Sequence, residues 1–188
     1  AEAKALAAAP LGNVTALTVD APPVVTHPEE VPRTCGAAAE LLSSAALDRV
    51  AELTLGPAVA AALLAIRGPL PARLRRLDVS HAAILGRVFP LPADDVFDAL
   101  DDLTLVVDGW PAEWVAELAE RACVGRLRHL RLGGSLPPSE AAVAALMRLA
   151  AALDPDRLET LRVGARVCNA EPVRAALAAR FGARVRFG

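Results

Sequence analysis

At 188 residues, 54% of them hydrophobic and 22% charged, the chain carries enough apolar side chains for one sizeable core, which excludes a disordered polymer. The net charge of −2 conceals a division: residues 1–120 hold 8 Lys/Arg against 17 Asp/Glu, a net of −9, and residues 121–188 hold 12 Arg against 5 Asp/Glu, a net of +7. Such polarity bears on partner choice and association rate rather than on fold.

The first twelve residues, AEAKALAAAPLG, contain no Met and lack the layout of a signal peptide. They are expected to be an N-terminal extension of a piece of a longer protein, with one domain over 13–188. Short alternating segments then recur along the chain. They are Val14-Leu17-Val19, Val50-Leu53-Leu55, Leu74-Leu77-Val79, Leu100-Leu103-Leu105, Leu127-Leu130-Leu132 and Leu158-Leu161-Val163. A last, weaker copy ends on Val185 and Phe187. Each reads aliphatic, two variable, aliphatic, one variable, aliphatic, so two aliphatics face one side of a short strand.

Between the strands the spacing predicts helices over Gly36–Asp48, Pro57–Arg67, Pro111–Cys123, Ser139–Leu153 and Glu171–Phe181. Ala82–Asp98, interrupted by Pro90 and Pro92, is expected to hold only a turn or a short helix. The stripe Val143, Leu146, Met147, Ala150 and Leu153 is expected to face the core. The longest apolar runs, Ala58–Ile66 and Ala141–Leu153, are too short to span a bilayer. Cys35, Cys123 and Cys168 include no CxxC pair, so they point to a reducing, cytoplasmic setting and to packing roles rather than to disulfides or zinc.

A strand and a helix every 24–36 residues suit a coil in which each strand lies parallel beside the last. The pattern resembles the leucine-rich repeat family, whose signature is LxxLxLxxN/CxL, over about residues 14–188. The resemblance implies an α/β fold: a right-handed solenoid of about seven units with a curved parallel sheet on the concave side and helices outside. The spacing is most similar to the ribonuclease-inhibitor-like variety. The family's Asn position falls on Pro22, Ala58, Ala82, Asp108, Ser135 and Arg166. Of these, only Asp108 and Ser135 could take over the Asn side chain's bond to the neighbouring turn.

With the leucines inside, the alternate residues face out. One outward column is Thr18, Thr54, Asp78, Thr104, Arg131, Arg162, Arg186. A second is Ala16, Glu52, Arg76, Asp102, His129, Thr160, Arg184, and a third includes Gly56, Ser80, Val106, Gly133, Gly164 and Gly188. The expected partner surface comprises Arg131, Arg162 and Arg186 with His129, Arg184, Asp78 and Asp102. Arginine forks suit carboxylate-rich or phosphorylated partners. No aromatics interleave with the arginines to stack bases, which argues against nucleic acid.

No phosphate loop, dinucleotide fingerprint, zinc-protease or nucleophile-elbow motif occurs, and His27, His81 and His129 are isolated. The chain is therefore expected to be a non-enzymatic protein-interaction module without cofactor or metal. Two alternatives remain: a self-assembly module joining acidic end to basic end, and an enzyme whose site no motif reveals.

Overall fold

A computed structural model describes residues 14–19, 40–41, 47–56, 73–83 and 99–188, with the side chains of 80–83 excepted. The expected helices at 36–48 and 57–67, and residues 84–98, lie largely or wholly outside the described residues, as do Cys35 and His27.

Seven strands form one sheet in strict chain order, and every pairing is parallel. They are β1 (Ala16–Val19), β2 (Glu52–Leu55), β3 (Arg76–Ala83) and β4 (Asp102–Asp108). β5 (His129–Ser135), β6 (Thr160–Val163) and β7 (Val185–Phe187) complete it. β3 runs through Ala82 and Ala83, where a turn or short helix was expected, with a register shift between Ser80 and Ala82. Extending β3 pairs those residues with Val107 and Asp108, so the far end of β4 provides the hydrogen-bonding template that prolongs its neighbour.

Register is fixed by a recurring backbone contact just ahead of each strand. The carbonyl of Thr15 accepts from the amides of Ala51 and Glu52, and that of Ala51 accepts from Arg75 and Arg76. The same pair of bonds recurs from Arg75 to Asp101 and Asp102, from Asp101 to Arg128 and His129, and from Arg128 to Glu159 and Thr160. Five repetitions of one bonding pattern mark a structural repeat. They also place each leading aliphatic, Val50, Leu74, Leu100, Leu127 and Leu158, in the core.

The inward positions behave as their spacing predicts. Leu53 and Leu55, Leu77 and Val79, Leu103 and Leu105, Leu130 and Leu132, and Leu161 and Val163 are all buried. Leu17 and Val19 at one edge of the sheet, and Val185 and Phe187 at the other, are half-buried against the same cluster. Complete burial of a Leu or Val contributes roughly 1.5–3 kcal/mol, so the ladder is the main cohesive element of the sheet.

Three helices link the last four strands: α1 (Ala112–Glu120), α2 (Glu140–Ala152) and α3 (Glu171–Phe181). α1 packs on α2 and α2 on α3. Their buried side chains, among them Val115, Leu118, Leu149, Val173 and Leu177, join the strand leucines in one core. Ser139 caps α2 by accepting from the Ala142 amide at 3.0 Å, and α3 ends at Gly182 with φ +56°. In α2 the buried stripe is Ala142, Ala145, Leu146, Leu149 and Ala150, so Met147 falls outside it and is 41% exposed. The apolar face is centred on alanines, which let α1 approach closely, and the longer Met147 is turned outward. Among the described residues no helix is long and apolar enough to cross a membrane.

Candidate functional site

A parallel sheet is ordinarily covered on both faces. Here the helices cover one face, and the outward residues of the other are half-buried or exposed. Pairing aligns these residues rung by rung: Thr18, Thr54, Asp78, Thr104, Arg131, Arg162 and Arg186 are successive register partners. Adjacent strands lie about 4.8 Å apart, so three guanidinium stems rise from neighbouring positions. All three arginines are exposed, and none makes a side-chain hydrogen bond or ion pair among the described residues.

The adjoining column is different, because its charges neutralise one another. Arg76 donates to Asp102 Oδ2 through Nε at 2.8 Å, and its second nitrogen lies 2.7 Å from the same oxygen. Its third nitrogen reaches Glu52 at 3.3 Å. The bond to Asp102 is the main reason that the Arg76 guanidinium is held above its ordinary pKa. His129 Nε2 lies 3.7 Å from Asp102 and 3.5 Å from Glu159. Arg128 pairs with Glu159 and thereby lowers the carboxyl pKa. An exposed pair such as Arg76–Asp102 adds about 0–1 kcal/mol, so this column is a compensated surface rather than a strong brace.

Sequence reasoning grouped His129, Asp102 and Arg184 with the arginine row, and the structure separates them. His129 and Asp102 belong to the compensated network. Arg184 lies in a 3-10 turn ahead of β7, and its guanidinium donates to the carbonyls of Pro155 and Leu158. It ties two chain segments together instead of joining the row. Asp78 shares the row, separated from Arg131 by Thr104, and has an interaction of its own.

Three in-register like charges oppose folding, by a few tenths of a kcal/mol to about 1 kcal/mol for each directly opposed pair. Arg162 has such a neighbour on both sides. Arg162→Thr, which installs the residue found at Thr54 and Thr104, is therefore expected to raise the unfolding free energy by about 0.5 kcal/mol at low salt. Added NaCl should erase the gain by screening. Urea unfolding at two salt concentrations checks this, and a salt-independent loss of stability would show that the guanidinium packs against the fold.

Beside the row lies a floor of small residues. Gly133 pairs with Val106, and a Cβ built at Gly164 would lie 3.4 Å from Gly133 Cα. Together with Gly188 they underlie a concavity of about 620 Å³ whose polar rim is Arg131, Arg162, Arg186 and Arg166. No Asp or Glu is among its described lining residues. Arg166 was not anticipated as part of the site. Its sequence signal is its place at the position of the family's Asn, two residues beyond Gly164, where the chain turns away from β6.

The joint that holds this floor comes from β4 and β5. Ser135 Oγ accepts from the Gly109 amide at 3.0 Å, which ties the end of β5 to the turn that follows β4. The Ser135 carbonyl accepts from the Trp110 amide at 2.8 Å, and the Trp110 indole donates to the Gly133 carbonyl at 2.7 Å. Trp110 and Trp114 are both buried, consistent with clamping the start of α1. Cys123 and Cys168 are buried thiols, and burial pushes the Cys168 thiol up. Cys123 lies in the core while His129 is on the outward face, so they form no dyad. Among the described residues no group of three or more His, Cys, Asp or Glu is arranged to hold a metal.

The site is thus an open, arginine-rimmed surface on the face of an all-parallel α/β sheet that the described helices leave uncovered. Comparisons with protein-family models, curated proteins and solved structures give no match for this chain.

Proposed function

We propose that the chain is a leucine-rich-repeat-like, right-handed α/β solenoid that serves as a non-enzymatic protein-interaction module and recognises an anionic partner. The observation that carries this reading is the row Arg131, Arg162 and Arg186, in register, exposed and, among the described residues, without an ion-pair partner, on a face that no described helix covers. A strand ladder with outward arginines gives a broad surface suited to protein recognition. Fold-level analogy contributes the step from repeat architecture to recognition. The odd number of cysteines and the absence of a CxxC pair support placing the module in a reducing, cytoplasmic setting.

The test uses acidic peptides selected by display against the natural protein. Reversing Arg131, Arg162 and Arg186 to Glu is expected to abolish their binding, and wild-type affinity should fall steeply with salt. If the triple variant binds with unchanged affinity and salt dependence, the row is idle.

A second reading has its own support. The chain is acidic over 1–120 and basic over 121–188, and within the sheet β1 and β7 each pair on one side only. Such ends could join head to tail as an open heterologous assembly.

A further inference from the structure

We infer that the glycine-floored concavity binds a phosphomonoester dianion, presented as a phosphoserine or phosphothreonine side chain of an extended partner peptide. The inference rests on the recognition surface proposed above and specifies its ligand. Its first ground is charge. Four arginines, 131, 162, 166 and 186, line the hollow with no Asp or Glu among the lining residues. A carboxylate carries one charge and is filled by a single guanidinium fork. A phosphomonoester carries nearly two charges and three acceptor oxygens, so it can be shared between forks on strands about 4.8 Å apart.

The second ground is the floor. Some glycines in this region are required by the backbone: Gly134 has φ +88°, and a Cβ there would lie 1.8 Å from the Val107 carbonyl oxygen. Gly133 is crowded by Val106, with its Cβ position 3.0 Å from a methyl group. Gly164 and Gly188 are under no such demand. A Cβ on Gly164 would meet nothing closer than 3.4 Å, and one on Gly188 nothing within 4 Å. The fold would tolerate larger residues there, yet the surface stays low beside Arg162 and Arg186. Where the row carries Thr104 instead of arginine, the equivalent floor position is Val106, although on β2 Thr54 stands beside Gly56. Across β4 to β7, depth and positive charge coincide on the same rungs.

The third ground is what surrounds the hollow. The Glu52, Asp102 and Glu159 carboxylates in or beside the next column are already paired with Arg76 and Arg128, so a long polyanion crossing the sheet would gain no further unpaired cation there. The Phe187 ring, which lines the hollow, has Arg174 over one face at 4.7 Å and packs partly against the core, so it makes a poor stacking platform for a base. A single phosphate on a peptide avoids both obstacles.

The test uses fluorescein-labelled nonapeptide pools with a central phosphoserine or phosphothreonine, their unphosphorylated forms, pools with central Glu, and a single-stranded oligothymidine. Binding is read by anisotropy at near-physiological salt. The phosphorylated pools are expected to bind at least about 10-fold more tightly than the Glu pools. Arg162→Lys, which keeps charge but loses the fork, and Gly164→Val, which raises the floor, should each weaken binding about 10-fold. Arg157→Gln, outside the hollow, should not. Inorganic phosphate alone should shift the amide resonances of Gly133, Gly164 and Gly188 and compete with the phosphopeptides. Equal affinity for Glu and phosphorylated pools would overturn the phosphate assignment while leaving the acidic-partner reading intact. Tighter binding of the oligothymidine, or no binding of either peptide class with unmoved glycine resonances, would overturn both.

Discussion

Gly134→Ala is expected to destabilise the protein by about 3 kcal/mol or more. Two costs combine. The residue has φ +88°, a region in which an L side chain is strained by about 1–3 kcal/mol. A Cβ would also fall 1.8 Å from the Val107 carbonyl oxygen and 2.4 Å from its carbon, and both belong to the backbone of the neighbouring strand. Backbone cannot rotate aside as a side chain can, so β4 and β5 must separate at this rung, adding a further 1–3 kcal/mol of overpacking. Urea titration measures the loss. Gly164→Ala is the control, because its Cβ meets only ordinary contacts at 3.4 Å and beyond; it should be neutral or slightly stabilising. Comparable behaviour of the two variants would mean that the β4–β5 approach is looser than described.

Trp110→Ala should cost about 3–5 kcal/mol, the range for emptying a buried tryptophan site. Trp110 is 1% exposed, and its indole N–H supplies a bond to the Gly133 carbonyl that the apolar core cannot replace. Trp110→Phe separates the contributions. It retains most of the packing and leaves the Gly133 carbonyl without its indole donor, for a loss of about 1–3 kcal/mol. The two tryptophan variants should also disturb the recognition surface, since Gly133 belongs to its floor. Thermal melts with amide spectra of Gly133 and Gly164 check both effects, and an unshifted Gly133 amide in Trp110→Phe would deny the link between clamp and floor.

The strand pattern of the fold was legible because the sheet repeats one simple constraint. A period of two selects Leu103, Leu105, Leu130 and Leu132 as inward residues, and the shared position between the last two aliphatics of each repeat places Arg131, Arg162 and Arg186 in one column. Local alternation also marks which face each residue takes, so the arginine row follows from spacing alone. Alternation does not encode how charges on that face pair. Arg76 lies one rung from both Glu52 and Asp102, and this neutralises a column that by position looked equivalent to the row. Arg184 escaped the same logic because the chain enters β7 through a 3-10 turn, which redirects the side chain onto Pro155 and Leu158. Met147 was misplaced because two adjacent helical stripes were apolar, and only the approach of α1 decides which is buried. Trp110 was legible as a clamp, but its bond to Gly133 joins residues 23 positions apart and depends on a turn without a sequence signature.

Because every strand meets only its predecessor and its successor, the row of guanidinium groups is a ruler whose length is written in whole segments of chain. Splicing in a second copy of the stretch from Leu127 to Arg157 would insert one more His-Leu-Arg-Leu-Gly rung, with its own leading leucine, without asking any existing strand to change faces. Gene duplication could in this way have set the reach of the cationic track in steps of one interstrand spacing, and the same arithmetic is open to an engineer who wants a longer or shorter grip.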